Sequence, residues 1–208
     1  MPLLIFPCNG NAVEALDCIG DDYDMIGFVD DSVDKVGTEK FGRPVLPRSA
    51  LERYPDAQVL AVPGSPTSYR SRAAVVGGLG VKRERFATIV HPSARVSPRA
   101  RVGANVLIMA GVVITTAAIG DHVCILPNTV IHHDSAVGDW TLVGSNVTIA
   151  GNVTVGSNAY IGSGTSIING IRIGDGALLG LGSNVLRDVA PNSTFAGNPA
   201  RQLARHTV

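Results

Sequence analysis

The chain has no net charge. Lysine and arginine number 17 and aspartate and glutamate 17 in 208 residues, so nothing in the overall balance draws it to nucleic acid or to an anionic lipid surface. Cysteine is scarce as well. Cys8, Cys18 and Cys124 form an odd, scattered set without a C-x-x-C pair, which argues against a disulfide framework or a zinc knuckle and for reduced thiols in a cytoplasmic protein. The opening MPLLIFPCNG has no basic residue ahead of its short apolar run, so no secretory signal peptide is expected. The length allows one domain or two small ones.

Charge is missing locally too. Residues 102–120, VGANVLIMAGVVITTAAIG, carry none and are long enough for a membrane-spanning helix. Residues 140–171 are equally uncharged, yet they are studded with Ser, Thr, Asn and Gly at regular intervals. A single shorter period accounts for both stretches, and no transmembrane helix is expected.

That period is six. Aliphatic residues recur at Val90, Val96, Val102, Ile108 and Ile114, take one five-residue step to Ile119, and resume at Ile125, Ile131, Val137, Val143, Ile149, Val155, Ile161, Ile167, Ile173, Leu179 and Val185. Glycine commonly follows the aliphatic residue, as in Val102-Gly103, Val137-Gly138 and Ile161-Gly162. A helical period of 3.6 cannot keep such a series on one face, and neither can simple alternation along a continuous strand. Self-similarity of this kind is the mark of a β-helix whose short strands stack from coil to coil. With three hexads to a turn, residues 90–190 make roughly five to six coils, and no coil buries its apolar face alone.

The first 86 residues read differently. Residues 3–6, 25–30 and 57–63 are expected strands, with short helices around 12–19, 48–54 and 67–79. This alternation suggests a small parallel sheet. Ligands bind such sheets outside the carboxyl ends of the strands. That edge carries Asn9, Gly10 and Asn11 after the first strand, Asp30 and Asp31 after the second, and Gly64 after the third. Asp30 follows Gly10 at about the spacing at which an acid meets a ribose hydroxyl in nucleotide-binding folds. The same residues also read as a turn glycine and two solvated loop acids, since PCNGNA is not G-x-G-x-x-G.

One place breaks the repeat: TVIHHDSAVG puts His132, His133 and Asp134 side by side. A neutral imidazole, with an ordinary pKa near 6.5, is suited to removing a proton at cellular pH. A neighbouring carboxylate can fix its tautomer and stabilise the imidazolium. Adjacent residues on a strand point to opposite sides, so spacing alone does not choose between the two histidines.

The whole order, a FVDD strand end, IVHPSARVSPRARVG, a hexapeptide β-helix interrupted by VIHHDSAVGD and a closing GNPAR, resembles the nucleotide-sugar N-acetyltransferases that acetylate 4-amino-4,6-dideoxyhexoses for surface polysaccharide biosynthesis. It is also similar to the sialic acid O-acetyltransferases. The resemblance implies an α/β Rossmann-like nucleotide-sugar-binding domain at residues 1–86. A left-handed parallel β-helix with a C-terminal tail would follow at 87–208, an exception to the usual crossover hand. It implies a homotrimer with acetyl-CoA between adjacent β-helices, and no metal. Carried over by motif, His133 becomes the general base and Asp134 its supporting carboxylate, with His132 left as a packed or solvated corner residue. Asn9, Gly10, Asn11, Asp30, Asp31 and Gly64 become contacts to the sugar nucleotide. Leu142, Gly151, Ser163 and Leu181 become the acetyl-CoA cleft, with Leu142 standing where some relatives place a histidine. The backbone N–H near Gly151 would receive the oxyanion.

Three other readings come from different chemistry. The base serves O-acetylation of sialic acid or a related sugar equally well. A carbonic-anhydrase-like zinc site would have to draw on His91, His122, His132 and His133, but no pair has an H-x4-H spacing and three ligands must converge. A noncatalytic sugar-nucleotide-binding protein remains compatible with the fold.

Overall fold

A computed structural model describes residues 1–204 of the chain; residues 205–208 of the expected C-terminal tail lie outside the described residues. The N-terminal part is a five-stranded sheet. Strands β1 (Pro2–Phe6), β2 (Asp24–Val29), β3 (Glu39–Lys40), β4 (Arg43–Leu46) and β5 (Gln58–Ala61) lie in the order β3-β4-β2-β1-β5. All pairings are parallel except β3 with β4. The three expected strands are adjacent, with β1 between β2 and the edge strand β5. The hairpin of β3 and β4 was not expected. Its turn places Phe41 and Gly42 at φ of 51° and 70°, and a phenylalanine in the left-handed region is no sequence signal for a tight turn. Pro44 further disguises the following strand. The helices are shorter than the apolar patterns suggest: α1 (Gly10–Glu14), α2 (Ala50–Arg53) and α3 (Arg72–Gly77).

From Ile89 the chain winds into two-residue strands stacked in three parallel walls, which fits a left-handed β-helix. The first wall runs from Ile89–Val90 through Leu107–Ile108, Cys124–Ile125, Leu142–Val143 and Tyr160–Ile161 to Leu178–Leu179 and Thr194–Ala196. The second runs from Arg95–Val96 to Asn184–Val185 and the third from Arg101–Val102 to Arg172–Ile173. Equivalent side chains stack 18 residues apart, as Asp139 does under Asp121. The five-residue step shortens one coil to 17 residues, as between Ala104 and Asp121. The uncharged stretch 102–120 is therefore coil, and among the described residues no helix is long and apolar enough to cross a membrane.

The second residue of each strand points inward: Ile108, Ile125, Val143, Ile161 and Leu179 share one core. The first points outward, and here the walls part company. On the first wall Leu107, Cys124 and Leu142 are buried against Leu3, Ile5, Phe28 and Leu60 of the N-terminal sheet. That apolar stripe is what docks the sheet on the β-helix.

Most corners from Asn105 onward turn through a residue of positive φ. Asparagine or glycine fills most of these places, for example Asn105, Asn128, Asn146, Gly164 and Gly182, because both reach the left-handed region cheaply. Three β-helix corners break the rule: His122 (φ 61°), Asp134 (58°) and Trp140 (66°).

Candidate active site

Asp134 adjoins His133. The His133 Nδ1 lies 2.8 Å from Asp134 Oδ2, both side chains being well exposed at the corner between the second and third walls. A carboxylate on Nδ1 accepts its proton and leaves Nε2 as the basic nitrogen. One coil below, Gly151 leaves room for the ring: a Cβ there would lie 2.7 Å from His133 Nε2. Only glycine keeps that approach open. The Gly151 N–H donates no hydrogen bond among the described residues. His132 is half-buried and tied into the coil by its N–H to Ile149 O.

Four of the six expected substrate residues come together elsewhere. Asn9, Gly10, Asn11 and Gly64 line a cavity of about 340 Å³ with Ser65, Leu142 and Tyr160, between the carboxyl edge of the sheet and the first wall. Asn9 caps α1, its Oδ1 accepting from Ala12 N–H (2.9 Å) while its Nδ2 donates to Val62 O (3.1 Å). Asn11 Nδ2 reaches the same carbonyl at 3.4 Å. Gly64, at φ 121°, leaves only 3.0 Å between its would-be Cβ and Leu142 Cδ1.

Asp30 and Asp31 do not line this cavity. Asp30 is buried, and its carboxylate accepts from Cys8 N–H (2.9 Å), Ser32 N–H (2.8 Å) and Lys35 Nζ (3.1 Å). Burial alone raises its pKa, but those hydrogen bonds and the Lys35 charge together hold it below the usual carboxylate value. These bonds tie together the loop that follows β1 and the loop that follows β2, and Asp30 also lines the depression on which Asp31 lies. Asp31 is half-exposed and paired with the Arg48 guanidinium, on a separate depression shared with Val33 and Pro47.

The expected acetyl-CoA residues also divide. Leu142 belongs to the cavity and Ser163 stacks under the adjoining corner, its Oγ accepting from Ser145 N–H at 3.1 Å. Leu181, 72 % exposed, follows the next first-wall strand. Gly151 alone sits with His133.

Sequence reasoning missed the junction that fixes the cavity wall. The Asn105 side chain pairs with the end of β5 as a strand would, accepting from Ala61 N–H and donating to Ala61 O, both at 2.7 Å. Its Nδ2 also lies 2.9 Å from His122 Nδ1. His122 stacks on Trp140 with centroids 3.7 Å apart and planes 4° off parallel, and meets Phe86 edge-on at 5.0 Å. Burial pushes the His122 pKa down to about 4. Arg72, fully buried, bridges Pro63 O and His122 O, with burial lowering its pKa to about 10. The signal was available: His122 and Trp140 occupy corner places that asparagine or glycine fills in other coils.

Among the described residues no group of three or more His, Cys, Asp and Glu side chains is placed to hold a metal ion. The three cysteines are free and buried, and burial raises Cys18 to about 11 and Cys124 to about 12.

Residues 116–151, which contain the His133 corner, match the bacterial transferase hexapeptide (six repeats) family. No curated protein matches the sequence. Among solved structures, a variant of perosamine N-acetyltransferase from Caulobacter crescentus, with CoA and GDP-perosamine bound, is similar at 27 % identity and a TM-score of 0.84, over 98 % of this chain and 97 % of that one. The acetyltransferase domain of PglB from Neisseria gonorrhoeae, bound to acetyl coenzyme A, shares the fold at 24 % identity and a TM-score of 0.81, over 97 % and 98 % of the two chains. WeeI from Acinetobacter baumannii shares it at 22 % identity and a TM-score of 0.81, over 98 % and 100 %. The resemblance to nucleotide-sugar N-acetyltransferases thus extends over nearly the whole chain.

Proposed function

We propose that this chain is an acetyl-CoA-dependent N-acetyltransferase that acetylates the 4-amino group of a nucleotide-linked amino-dideoxyhexose, with His133 as the general base. The observation that carries the reading is the His133–Asp134 pair at 2.8 Å above the bare backbone of Gly151. Asp134 holds the Nδ1 proton. Nε2 takes a proton from the amine as its nitrogen attacks the thioester carbonyl, and the Gly151 N–H receives the oxyanion. Collapse of the tetrahedral intermediate breaks the C–S bond. The imidazolium returns the proton to the departing CoA sulfur, so no covalent enzyme intermediate is required. Relatives of similar fold that bind CoA and GDP-perosamine support this choice of substrates.

In this reading residues 1–86 form a Rossmann-like nucleotide-sugar domain and 87–208 a left-handed β-helix domain, acting in the cytoplasm as a homotrimer. The division of the site supports the trimer. The neutral cavity sits at the first wall and its corner with the second, whereas His133 sits at the corner between the second and third walls. A prism does not bring two corners together, so in this reading the cavity of one copy meets the base of another. A ring closed by one heterologous contact repeats that meeting at every interface. Mixing inactive His133→Ala with an inactive cleft variant, Ser163→Trp, should restore part of the activity. No recovery in mixed trimers verified by mass counts against a shared site.

The primary test is thiol release from acetyl-CoA with UDP-, dTDP- and GDP-linked 4-amino sugars and with free sialic acid. Release is expected with one of the nucleotide-linked amines. Release with none of them, or with sialic acid alone, overturns the reading.

A further inference from the structure

One concave surface beside His133 has no part in the scheme above. At the amino-terminal end of the second wall a depression of about 470 Å³ is lined by Arg95, Ser97, Arg99, Thr115 and Thr116. It lies on the His133 side of the prism. Thr115 N–H donates to Ile131 O (3.0 Å) and Asp134 N–H to Thr116 O (3.0 Å), so this corner stacks directly over the His133 corner. Ser97 N–H donates in turn to Ile114 O at 2.8 Å, one coil higher. With stacked strands about 4.8 Å apart, the depression begins roughly 5 Å and ends roughly 10 Å from the imidazole.

Its charge is unspent. Both Arg95 and Arg99 are exposed, and among the described residues neither guanidinium joins an ion pair, whereas Arg48 and Arg83 are each held by a carboxylate. No acid lines the depression, and the hydroxyls of Ser97 and Thr116 in its lining add donors, those of Thr115 and Ser93 being taken up by Ile131 O and His91 Nδ1. The cavity at the first wall, in contrast, is lined by no cation at all. A sugar nucleotide brings a diphosphate that the cavity alone does not neutralise.

We propose that Arg95 and Arg99 of one copy hold the diphosphate of the nucleotide-linked sugar whose base and ribose occupy the neutral cavity of the neighbouring copy. The proposal rests on the acetyl-transfer reading. Guanidinium pairs suit this chemistry because each presents a planar fork of donors to phosphate oxygens. The spacing selects the substrate over the cofactor. In a sugar nucleotide the diphosphate is attached to the reacting hexose itself, so it must lie within about two coils of the base. In coenzyme A the whole pantetheine arm separates the diphosphate from the sulfur, and an anion site this close to His133 is too near.

The test compares the unaltered full-length protein with Arg95→Glu/Arg99→Glu and Arg95→Lys/Arg99→Lys. Calorimetry measures the affinity of each for UDP, dTDP, GDP and coenzyme A. The tightest-binding nucleoside diphosphate should lose roughly ten- to hundredfold in the glutamate variant and less in the lysine variant, while coenzyme A is unchanged. An unchanged nucleotide affinity, an equal loss for coenzyme A, or no nucleoside diphosphate bound by the unaltered protein each overturns the proposal. Nucleotide binding that weakens as expected in a protein without acetyl transfer strikes the acetyl-transfer reading alone. Full turnover with unchanged KM in the glutamate variant strikes the arginine site alone.

Discussion

Two histidines sit at corners of the same β-helix and have opposite chemistry. His122 is buried between Trp140 and Phe86, with the Asn105 amide on Nδ1, and that donor is compatible only with a neutral ring that carries its proton on Nε2. His133 is exposed, with a carboxylate on Nδ1 and Nε2 over the bare backbone of Gly151. One partner donates and the other accepts, and one ring is dry where the other is wet. Those two differences make the first a fastener between the sheet and the β-helix, and suit the second to the role of base proposed above.

Removing the exposed ring should have the largest effect. His133→Ala should fold, bind acetyl-CoA and lose about 10²–10⁴-fold in kcat, because an exposed corner contributes little to stability. Turnover at the unaltered level, or an equal loss in His132→Ala alone, moves the base elsewhere.

The second test uses pH. His122 titrates near 4 in the folded chain and near 6.5 when unfolded. Its contribution to stability is therefore full above pH 6.5 and fades as pH falls toward 4, where the unfolded state has already taken up the proton. About 1.4 kcal/mol per unit gives roughly 3 kcal/mol over that window. Thermal unfolding of His122→Phe should begin from a lower Tm at pH 8, because Asn105 loses a partner, but show a flatter decline to pH 4.5. Parallel declines in the two proteins assign the acid sensitivity to other groups.

A smaller effect separates orienting from reacting. Asp134→Asn leaves the imidazole in position without its anion, and a fall in kcat of roughly tenfold is expected, well short of the His133→Ala loss. A loss as large as that of His133→Ala gives the carboxylate a direct role in proton transfer.

The smallest expected effect concerns the loop acid. Asp30→Asn keeps the shape but weakens three hydrogen bonds, so the Asn9 loop should loosen and KM for the sugar nucleotide should rise severalfold with kcat nearly intact. An unchanged KM shows that the loop holds its form without the charge.

Much of this was legible from spacing. The six-residue period placed the inward residues from Ile108 to Val185, while Val90 at the open first coil stays exposed. The outward residues were legible in part. Leu107, Cys124 and Leu142 against Arg101, Ala118 and Ala136 distinguish a covered wall from an open one, though only the assembled prism tells which coil positions share a wall. Asp30 was harder. Its spacing from Gly10 suits a ribose contact, but Lys35, Ser32 and Cys8 fold back on it, and such local loop closures leave no periodic trace.

The β-helix, its coils and the His133–Asp134 pair are encoded locally, because each depends on residues six, eighteen or one apart along the chain. That His122 is the buried histidine, that the Asp30 carboxylate is bound by neighbouring loops, and that the cavity and His133 stand at different corners follow from long-range packing. Those outcomes depend on contacts such as Asn105 with Ala61, |i−j| of 44, and Tyr69 with Gly176, |i−j| of 107. Burial and hydrogen-bond satisfaction at that range are properties of the packed chain, which no local spacing encodes.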